Sequence, residues 1–226
     1  AQLTATGSSV KWYNTPSGGL VLPDVTALSS TTYYATQTLN GCESVTRAAV
    51  SVTINTCPTG VYIPDPNFRA YLQTTYPACM NGSYLDPNCS GVTTATTMDV
   101  SNKSIADLTG VEYFTSLITL KCVSNQLTSL PSLPTSLITL ECSNNSITAL
   151  PLLPSSLQTL ECINNSLVTL PALPGSLLIL YCGKNQLTTL PVLPIGLQKL
   201  SCNNNQLTAL PTLPNSIDAL ICGYNQ

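Results

Sequence analysis

A strict twenty-residue period over residues 117–226 constrains this chain more than any other feature of its sequence. Each of six units carries a leucine or isoleucine, two variable residues, a leucine, one variable residue and a cysteine, and an asparagine follows three positions later. The first unit shows the pattern at Leu117, Leu120, Cys122 and Asn125. A fixed period of this length indicates a solenoid, because a single unit cannot bury its own apolar face and must stack on its neighbours.

The spacing within one unit predicts a short strand followed by an extended return segment. Leu120 and Cys122 alternate with the variable residues 119, 121 and 123, so two side chains point into the coil and three point out. Stacked coils would therefore form a parallel sheet along one face. The two prolines of the unit, Pro131 and Pro134, cannot donate backbone hydrogen bonds, so we expect the return side to be polyproline-like rather than helical.

The motif LxxLxCxxNxLTxLPxLP resembles the leucine-rich repeat family, and the doubled Leu-Pro resembles its bacterial subclass. An atypical first unit of twenty-two residues precedes the regular ones and looks internalin-like. Its core columns are occupied by Met98, Val100, Ile105 and Leu108, with Lys103 in the asparagine position. The resemblance implies a mainly β fold in which residues 98–226 form the solenoid, which we expect to continue in a longer protein.

Residues 1–56 have strand signals separated by turns. We predict strands over residues 10–13, 32–38 and 47–54, and Asn40-Gly41 between the last two is a strong hairpin signal. Trp12 on an early strand and a tyrosine pair on a later one indicate an immunoglobulin-like β-sandwich.

The segments LTATGSSVKWYNTPSGG and TTYYATQTLNGCES resemble the small Ig-like modules of Bacteroidetes-type cell-surface proteins. In that family a cysteine shortly before the first segment usually pairs with the one in the NGCES loop, here Cys42. The chain begins at Ala1 without that partner, so we expect the module to be truncated and the chain to be a fragment.

Residues 57–97 are predicted to be a linker and a helical cap for the first coil. Asp65 is a good N-cap, Pro66 suits the first helical position, and Phe68, Tyr71 and Leu72 share one face. We therefore predict a single short helix over residues 66–75, which would cover the open end of the solenoid. Similar IPDPNF segments precede leucine-rich repeats in Bacteroidetes surface proteins.

The ten cysteines fall into two groups. One column of the solenoid contains Cys122, Cys142, Cys162, Cys182, Cys202 and Cys222. Without histidine, and with each thiol on a separate coil in poor disulfide geometry, we predict small buried apolar side chains rather than a metal array or disulfide ladder. Cys79 and Cys89 are predicted to form a disulfide that closes a short loop. Cys57 either pairs with Cys42 or remains free.

The asparagine column is predicted to be structural, since an inward amide can satisfy backbone groups of the turn and of the adjacent coil. Its members are Asn125, Asn145, Asn165, Asn185 and Asn205. A threonine column at 128, 148, 188 and 208 is broken by Val168, whereas ice-binding solenoids need a flat two-column array. A role in turns is therefore favoured for these threonines.

The sheet face is the predicted ligand-binding surface, because its positions are regular while its residues vary. The candidate residues are Lys121, Glu141, Glu161, Tyr181, Ile179, Lys199 and Ser201. The alternative is a solvated face that tolerates any residue. Glu141 and Glu161 would lie about 5 Å apart, as in a retaining glycosidase. An open face would leave both acids ionised, so we predict no catalytic residue.

Composition excludes several other functions. Only 8% of residues are charged and the net charge is −3, so no basic surface exists for nucleic acid. No apolar run is long enough for membrane insertion, and the chain has no histidine for a catalytic triad and no glycine-rich phosphate loop. We expect no cofactor and no metal.

These observations, with the resemblance to exported bacterial proteins, favour a non-enzymatic extracellular or cell-surface module for recognition or adhesion. Its partner would be a protein or a glycan bound to the sheet face, beside neighbouring domains of a longer chain. The alternative is a structural spacer or scaffold in a bacterial surface fibre or large adhesin, which the unbroken repetition and low charge favour.

Overall fold

The computed structural model describes residues 9–22, 31–40, 42–52 and 59–226. The chain divides into two compact units, residues 1–57 and 58–226. Within the described ranges, no helix has the length and apolarity required to cross a membrane.

The first unit contains a small antiparallel sheet and a hairpin. The strands are β1 (Lys11–Tyr13), β2 (Thr31–Thr36), β3 (Thr38–Leu39), β4 (Cys42–Glu43) and β5 (Ala48–Val52). Strands β1, β2 and β5 form the sheet in that order, and β3 pairs with β4. Leu39 lies opposite Cys42 and Asn40 has a φ of 49°, which confirms the predicted tight hairpin. Within the predicted strands, residues 10, 37 and 47 are not in strands, and residues 53–54 lie outside the described ranges.

One carboxylate connects three strands of this unit. Glu43 accepts hydrogen bonds of 2.6 Å from Lys11 Nζ, Tyr13 Oη and Thr36 Oγ1. These hydrogen bonds lower the pKa of Glu43 to about 2, and the bond from Lys11 has the largest effect. The guanidinium of Arg47 stacks over the Tyr13 ring at 3.4 Å. Glu43 therefore has a structural role that its sequence position alone did not reveal.

The second unit begins with a cap built from short elements. These are β6 (Val61–Tyr62), α1 (Pro66–Thr75), β7 (Met80–Asn81), β8 (Tyr84–Leu85) and α2 (Ser90–Thr93). The predicted helix over residues 66–75 is confirmed, but the expectation of a single helix in this segment is wrong because α2 and a 3₁₀ turn (Pro77–Cys79) are also present. The three strands form a sheet in the order β6-β8-β7. Strands of two residues carry no alternation that a sequence could show.

Asp65 joins the cap to the solenoid through both of its carboxylate oxygens. Its Oδ1 accepts hydrogen bonds from the backbone N–H groups of Asn67 and Phe68, as an N-cap residue does. Its Oδ2 accepts a 2.8 Å hydrogen bond from the backbone N–H of Ala106 in the first coil. A disulfide between Cys79 and Cys89, as predicted, closes the loop after the helix.

Seven parallel strands form the sheet of the solenoid. They are β9 (Thr97–Asp99), β10 (Thr119–Lys121), β11 (Thr139–Glu141), β12 (Thr159–Glu161), β13 (Ile179–Tyr181), β14 (Lys199–Ser201) and β15 (Ala219–Ile221). Each strand pairs with its neighbours in sequence, so the order is uninterrupted. Leu120 lies opposite Leu140 and also opposite Met98, which confirms the predicted register and the longer first unit.

The core of the solenoid is continuous with the core of the cap. Leu120 and Cys122 are fully buried, as are Phe68 and Leu72 of α1. The return side of each regular coil has no helix and no strand, as the two prolines predicted. The fold is therefore a mainly β solenoid whose first coil is covered by a helix and a small sheet.

Candidate functional site on the sheet face

The strands of the solenoid align their outward side chains in columns. In each strand the middle residue points into the core, and the first and third residues point outward. The column of third residues runs along the sheet as Asp99, Lys121, Glu141, Glu161, Tyr181, Ser201 and Ile221. The column of first residues includes Ile179 and Lys199, which lie opposite each other. The sequence-predicted face residues are thus brought together on one surface.

Lys121 and Glu141 form a salt bridge across β10 and β11. Lys121 Nζ lies 2.9 Å from Glu141 Oε1, and this hydrogen bond raises the pKa of Lys121. On the other side, Asp99 accepts a hydrogen bond from the backbone N–H of Ser101, which lowers the pKa of Asp99. The face is therefore organised electrostatically, and Glu141 already has a cation beside it.

Glu161 has no such partner. Its carboxylate is partly buried and makes no salt bridge or hydrogen bond with any residue that the structure describes. Burial, and secondarily the charge of Glu141, raises the pKa of Glu161, while Lys121 acts in the opposite direction. The expectation that open solvent surrounds both glutamates is wrong, because both are partly buried and their neighbours remove part of their hydration.

The remaining candidate residues differ in accessibility. Tyr181 and Ile179 are partly buried beside Glu161, and Lys199 is exposed. Ser201 is only 8% exposed, and its hydroxyl donates a 2.9 Å hydrogen bond to Asn203 Oδ1. The prediction that Ser201 contacts a ligand is therefore corrected: its side chain is nearly buried and its hydroxyl is already bonded to Asn203.

Each asparagine of the inward column joins two coils. Asn145 Nδ2 donates to the carbonyls of Cys122 and Cys142 at 3.0 and 3.1 Å, and Asn145 Oδ1 accepts from the backbone N–H of Leu127 at 3.1 Å. The same set of bonds is made by Asn165, Asn185 and Asn205. Asn125 makes related bonds to the first, longer unit: its Oδ1 accepts from the backbone N–H of Ile105, and its Nδ2 donates to the carbonyl of Val100. These side chains satisfy buried backbone groups and are not available to a ligand.

The cysteine column has no reactive member in its central coils. Five thiols are fully buried, at Cys122, Cys142, Cys162, Cys182 and Cys202. Burial raises the pKa of Cys142 to about 12 and that of Cys202 to about 11, so these groups stay protonated at neutral pH. Cys222 in the last coil is partly exposed, and Cys42 in the first unit is exposed and free. Cys57 lies outside the described residues.

A column of serines, which the sequence analysis did not single out, forms a second set of bonds between coils. Ser156 Oγ donates to the carbonyls of Thr135 and Leu137 at 2.8 and 2.7 Å. Equivalent bonds are made by Ser136, Ser176 and Ser216. The threonines of the column lie at bends of the coils, as expected, although their hydroxyls make no hydrogen bond with the described residues. The serine period was visible in the sequence and would have identified these bonds.

The return side presents apolar residues instead of charges. Leu152, Val192 and Ile195 are 87%, 87% and 92% exposed. Proline-flanked grooves of about 390 and 380 Å³ lie between coils on this side. No group of three or more histidine, cysteine, aspartate or glutamate residues among the described ones has the geometry of a metal site.

Comparison with known proteins supports both halves of this description. Residues 1–56 match the family model of the Ig-like domain CHU_C associated. No curated protein matches the chain. Among solved structures, YopM from Yersinia enterocolitica WA-314 is 35% identical over 58% of this chain and 29% of its own, with a TM-score of 0.56.

Two further solved structures are similar to part of the chain. A Shigella effector LRR domain is 33% identical over 58% of this chain and 60% of its own, with a TM-score of 0.55. The functional domain of InlJ from Listeria monocytogenes is 25% identical over 72% of this chain and 46% of its own, with a TM-score of 0.42. The chain spans less than two thirds of the length of each. The chain is thus a parallel β-solenoid similar to solved leucine-rich repeat structures, and its residues 1–56 match an Ig-like, CHU_C-associated model.

Proposed function

We propose that this chain is a non-enzymatic recognition module of an exported or cell-surface protein, and that it binds a protein partner through the sheet face of the solenoid. The observation that carries the proposal is the contrast between a regular backbone and irregular side chains. Seven strands repeat one geometry, yet their outward positions hold a salt bridge, a half-buried unpaired carboxylate and a tyrosine.

Rigidity makes this face suitable for recognition. The inward asparagines and the serine column fix each coil to its neighbours by hydrogen bonds, so the outward side chains start from a preorganised surface. Preorganisation lowers the entropic cost of binding. Tyr181 is the aromatic residue in the middle of the face, and tyrosines are frequent among the residues that dominate binding energy at protein interfaces.

Two observations support export. The segment 1–56 matches an Ig-like, CHU_C-associated model, and modules of this kind are similar to those of bacterial cell-surface proteins. The Cys79–Cys89 disulfide lies in the cap, and structural disulfides persist in oxidising compartments.

The non-enzymatic character rests on the state of the two glutamates. Glu141 is held by Lys121, and a retaining glycosidase would need one free nucleophilic carboxylate and one protonated acid facing each other across a substrate. The buried thiols are protonated and cannot act as nucleophiles.

A binding screen with two matched variants tests the proposal. The first variant carries Glu141→Ala, Glu161→Ala and Tyr181→Ala on the sheet face. The control carries Leu152→Ser, Val192→Ser and Ile195→Ser on the return side, where the residues are more exposed than those of the sheet face. The panel contains extracellular-matrix proteins and, separately, bacterial and algal polysaccharides.

We expect saturable binding of a protein that the sheet-face variant loses and the return-side variant keeps. Binding of polysaccharides alone would change the ligand class to a glycan. Absence of binding by the unmodified chain, together with assembly of the full-length protein into surface fibres, would contradict the proposal and favour the structural spacer.

A further inference from the structure

Glu161 occupies an unusual electrostatic position on the sheet face. It lies in register between Glu141 on β11 and Tyr181 on β13. Lys121 is the nearest lysine of the column, and its Nζ is already bonded to Glu141. Lys199 belongs to the other column and makes no salt bridge with a described residue. Glu161 is therefore a partly desolvated carboxylate without a salt bridge of its own, because Lys121, whose charge it feels, is already paired with Glu141.

The neighbours of Glu161 on the far side are apolar or aromatic. Tyr181 lies opposite Glu161, and Ile179 lies two positions before Tyr181 on the same strand, both partly buried. A carboxylate beside an aromatic ring is complementary to a guanidinium, which donates to the carboxylate and stacks on the ring. Arginine is better suited than lysine, because its planar group is more weakly hydrated and binds carboxylates through two parallel hydrogen bonds.

We propose that Glu161 and Tyr181 form a subsite for an arginine side chain that the protein partner presents to the sheet face. This inference rests on the proposed function and specifies the chemistry of the partner. The same components occur inside the first unit, where Arg47 stacks on the Tyr13 ring and the Tyr13 hydroxyl donates to Glu43.

The charge of the solenoid agrees with a basic partner. Residues 58–226 contain eight acidic and five basic side chains, and residues 1–57 contain two of each, so the whole net charge of −3 belongs to the second unit. An acidic surface raises the association rate of a basic partner and disfavours acidic ones.

The subsite has a pH dependence with a defined sign. The pKa of Glu161 is raised in the free protein, and arginine binding requires the ionised carboxylate. Binding is therefore complete above this pKa and lost as the pH falls through it. On the surface, Glu161 faces Glu141, Lys121 and Tyr181. In the core behind it lie buried thiols such as that of Cys142, which remain protonated over the pH range of this titration.

The experiment uses the four glutamates of the chain, labelled with ¹³C at the side-chain carboxyl group. The probe is a peptide of nine arginines, and the control peptide replaces each arginine by citrulline, which has nearly the same shape without the charge. Carboxyl chemical shifts are followed by NMR as peptide and pH are varied. The Glu161→Gln variant assigns its signal and removes the proposed contact. Asp218→Asn is the matched control, since it removes one exposed negative charge from the last coil.

We expect the arginine peptide to shift the Glu161 signal saturably and to move its titration to lower pH. Glu161→Gln should weaken binding about tenfold, as loss of a charged hydrogen bond does, and Asp218→Asn less than about twofold. Equal binding of the citrulline peptide, or equal losses in the two variants, would overturn the subsite. Matching thermal unfolding curves verify that both variants are folded.

The same variants separate this inference from the proposed function. If a protein of the panel binds the sheet face and Glu161→Gln leaves its affinity unchanged, the arginine subsite is refuted and the proposed function stands. If the arginine peptide binds at Glu161 while no protein of the panel binds, the arginine subsite is supported and the proposed function is not.

Discussion

The central coil and the last coil of the solenoid carry the same repeat motif, with leucine and cysteine in the same core positions, yet they differ in burial. Leu160 is fully buried, whereas Leu220, three coils further, is 39% exposed. Leu120 is fully buried as well, because the cap and the first unit cover it on one side and the next coil on the other. The comparison teaches that a core position in a solenoid depends on two neighbours, and that the repeat motif alone does not determine its burial.

The largest expected effect is alkaline destabilisation of the central coils. The folded pKa of Cys142 is raised to about 12 from an ordinary value of 9.0, so its contribution to stability is complete below pH 9 and lost as the pH rises toward 12. At pH 11 each such buried thiol should lower the free energy of unfolding by about 2–3 kcal/mol relative to pH 8. Urea unfolding at pH 8 and pH 11 measures this loss, which Cys142→Ala should reduce. A similar reduction by Cys222→Ala in the partly exposed coil would contradict the comparison.

Removing leucine side chains tests the burial difference directly. Leu160→Ala should lower the free energy of unfolding by about 2–5 kcal/mol, because it leaves a cavity between two packed coils. Leu220→Ala should cost clearly less, since its side chain is partly solvated already. Chemical denaturation of both variants gives the two values. Equal losses would show that the coils do not stack as described.

Opening the disulfide weakens the covered end of the solenoid. Replacing Cys79 and Cys89 by serine should lower the free energy of unfolding by about 2–3 kcal/mol, since the bond closes a short loop. Amide hydrogen exchange should increase mainly in the cap and first unit, while the last coil keeps its exchange rates. Uniform acceleration along the chain would instead indicate that the solenoid unfolds as one cooperative unit.

The smallest effect concerns a turn that recurs in every coil. Residues 124, 144, 164, 184, 204 and 224 all have positive φ, and asparagine tolerates this region better than lysine. Lys184→Asn should therefore raise the free energy of unfolding by less than about 1 kcal/mol, and Asn164→Lys should lower it by a similar amount. Thermal unfolding measures both changes, and opposite signs would refute this explanation.

Much of the fold could be predicted because repetition makes long-range contacts local. Each regular coil touches a neighbour with the same motif, so the spacing of Leu120 and Cys122 was sufficient to place the sheet, its register and the buried columns. The Asp65 cap was predictable in the same way from its position beside Pro66. The hydrogen bond between the other oxygen of Asp65 and the backbone N–H of Ala106 joins residues 41 positions apart and has no sequence signal.

Less of the candidate site could be predicted. The sequence placed Lys121, Glu141 and Glu161 in one column, but could not show that Lys121 forms its salt bridge with Glu141 and not with Glu161. Ser201 was expected on the surface, yet its contact with Asn203 depends on side-chain conformations within its own coil. Side-chain pairing depends on small differences in packing and hydration, whereas the backbone register follows from the period.

The three hydrogen bonds that the two oxygens of the Asp65 carboxylate accept have a kinetic consequence. One oxygen starts the helix and the other orders the first coil, so forming either contact brings the other within reach. Repeat arrays can nucleate at many places, but here we expect a preferred nucleus at the covered end, from which coils are added one after another. Asp65→Ala should slow refolding, while substitutions in the last coil should mainly accelerate unfolding. The direction in which this solenoid assembles would then be encoded in a single carboxylate.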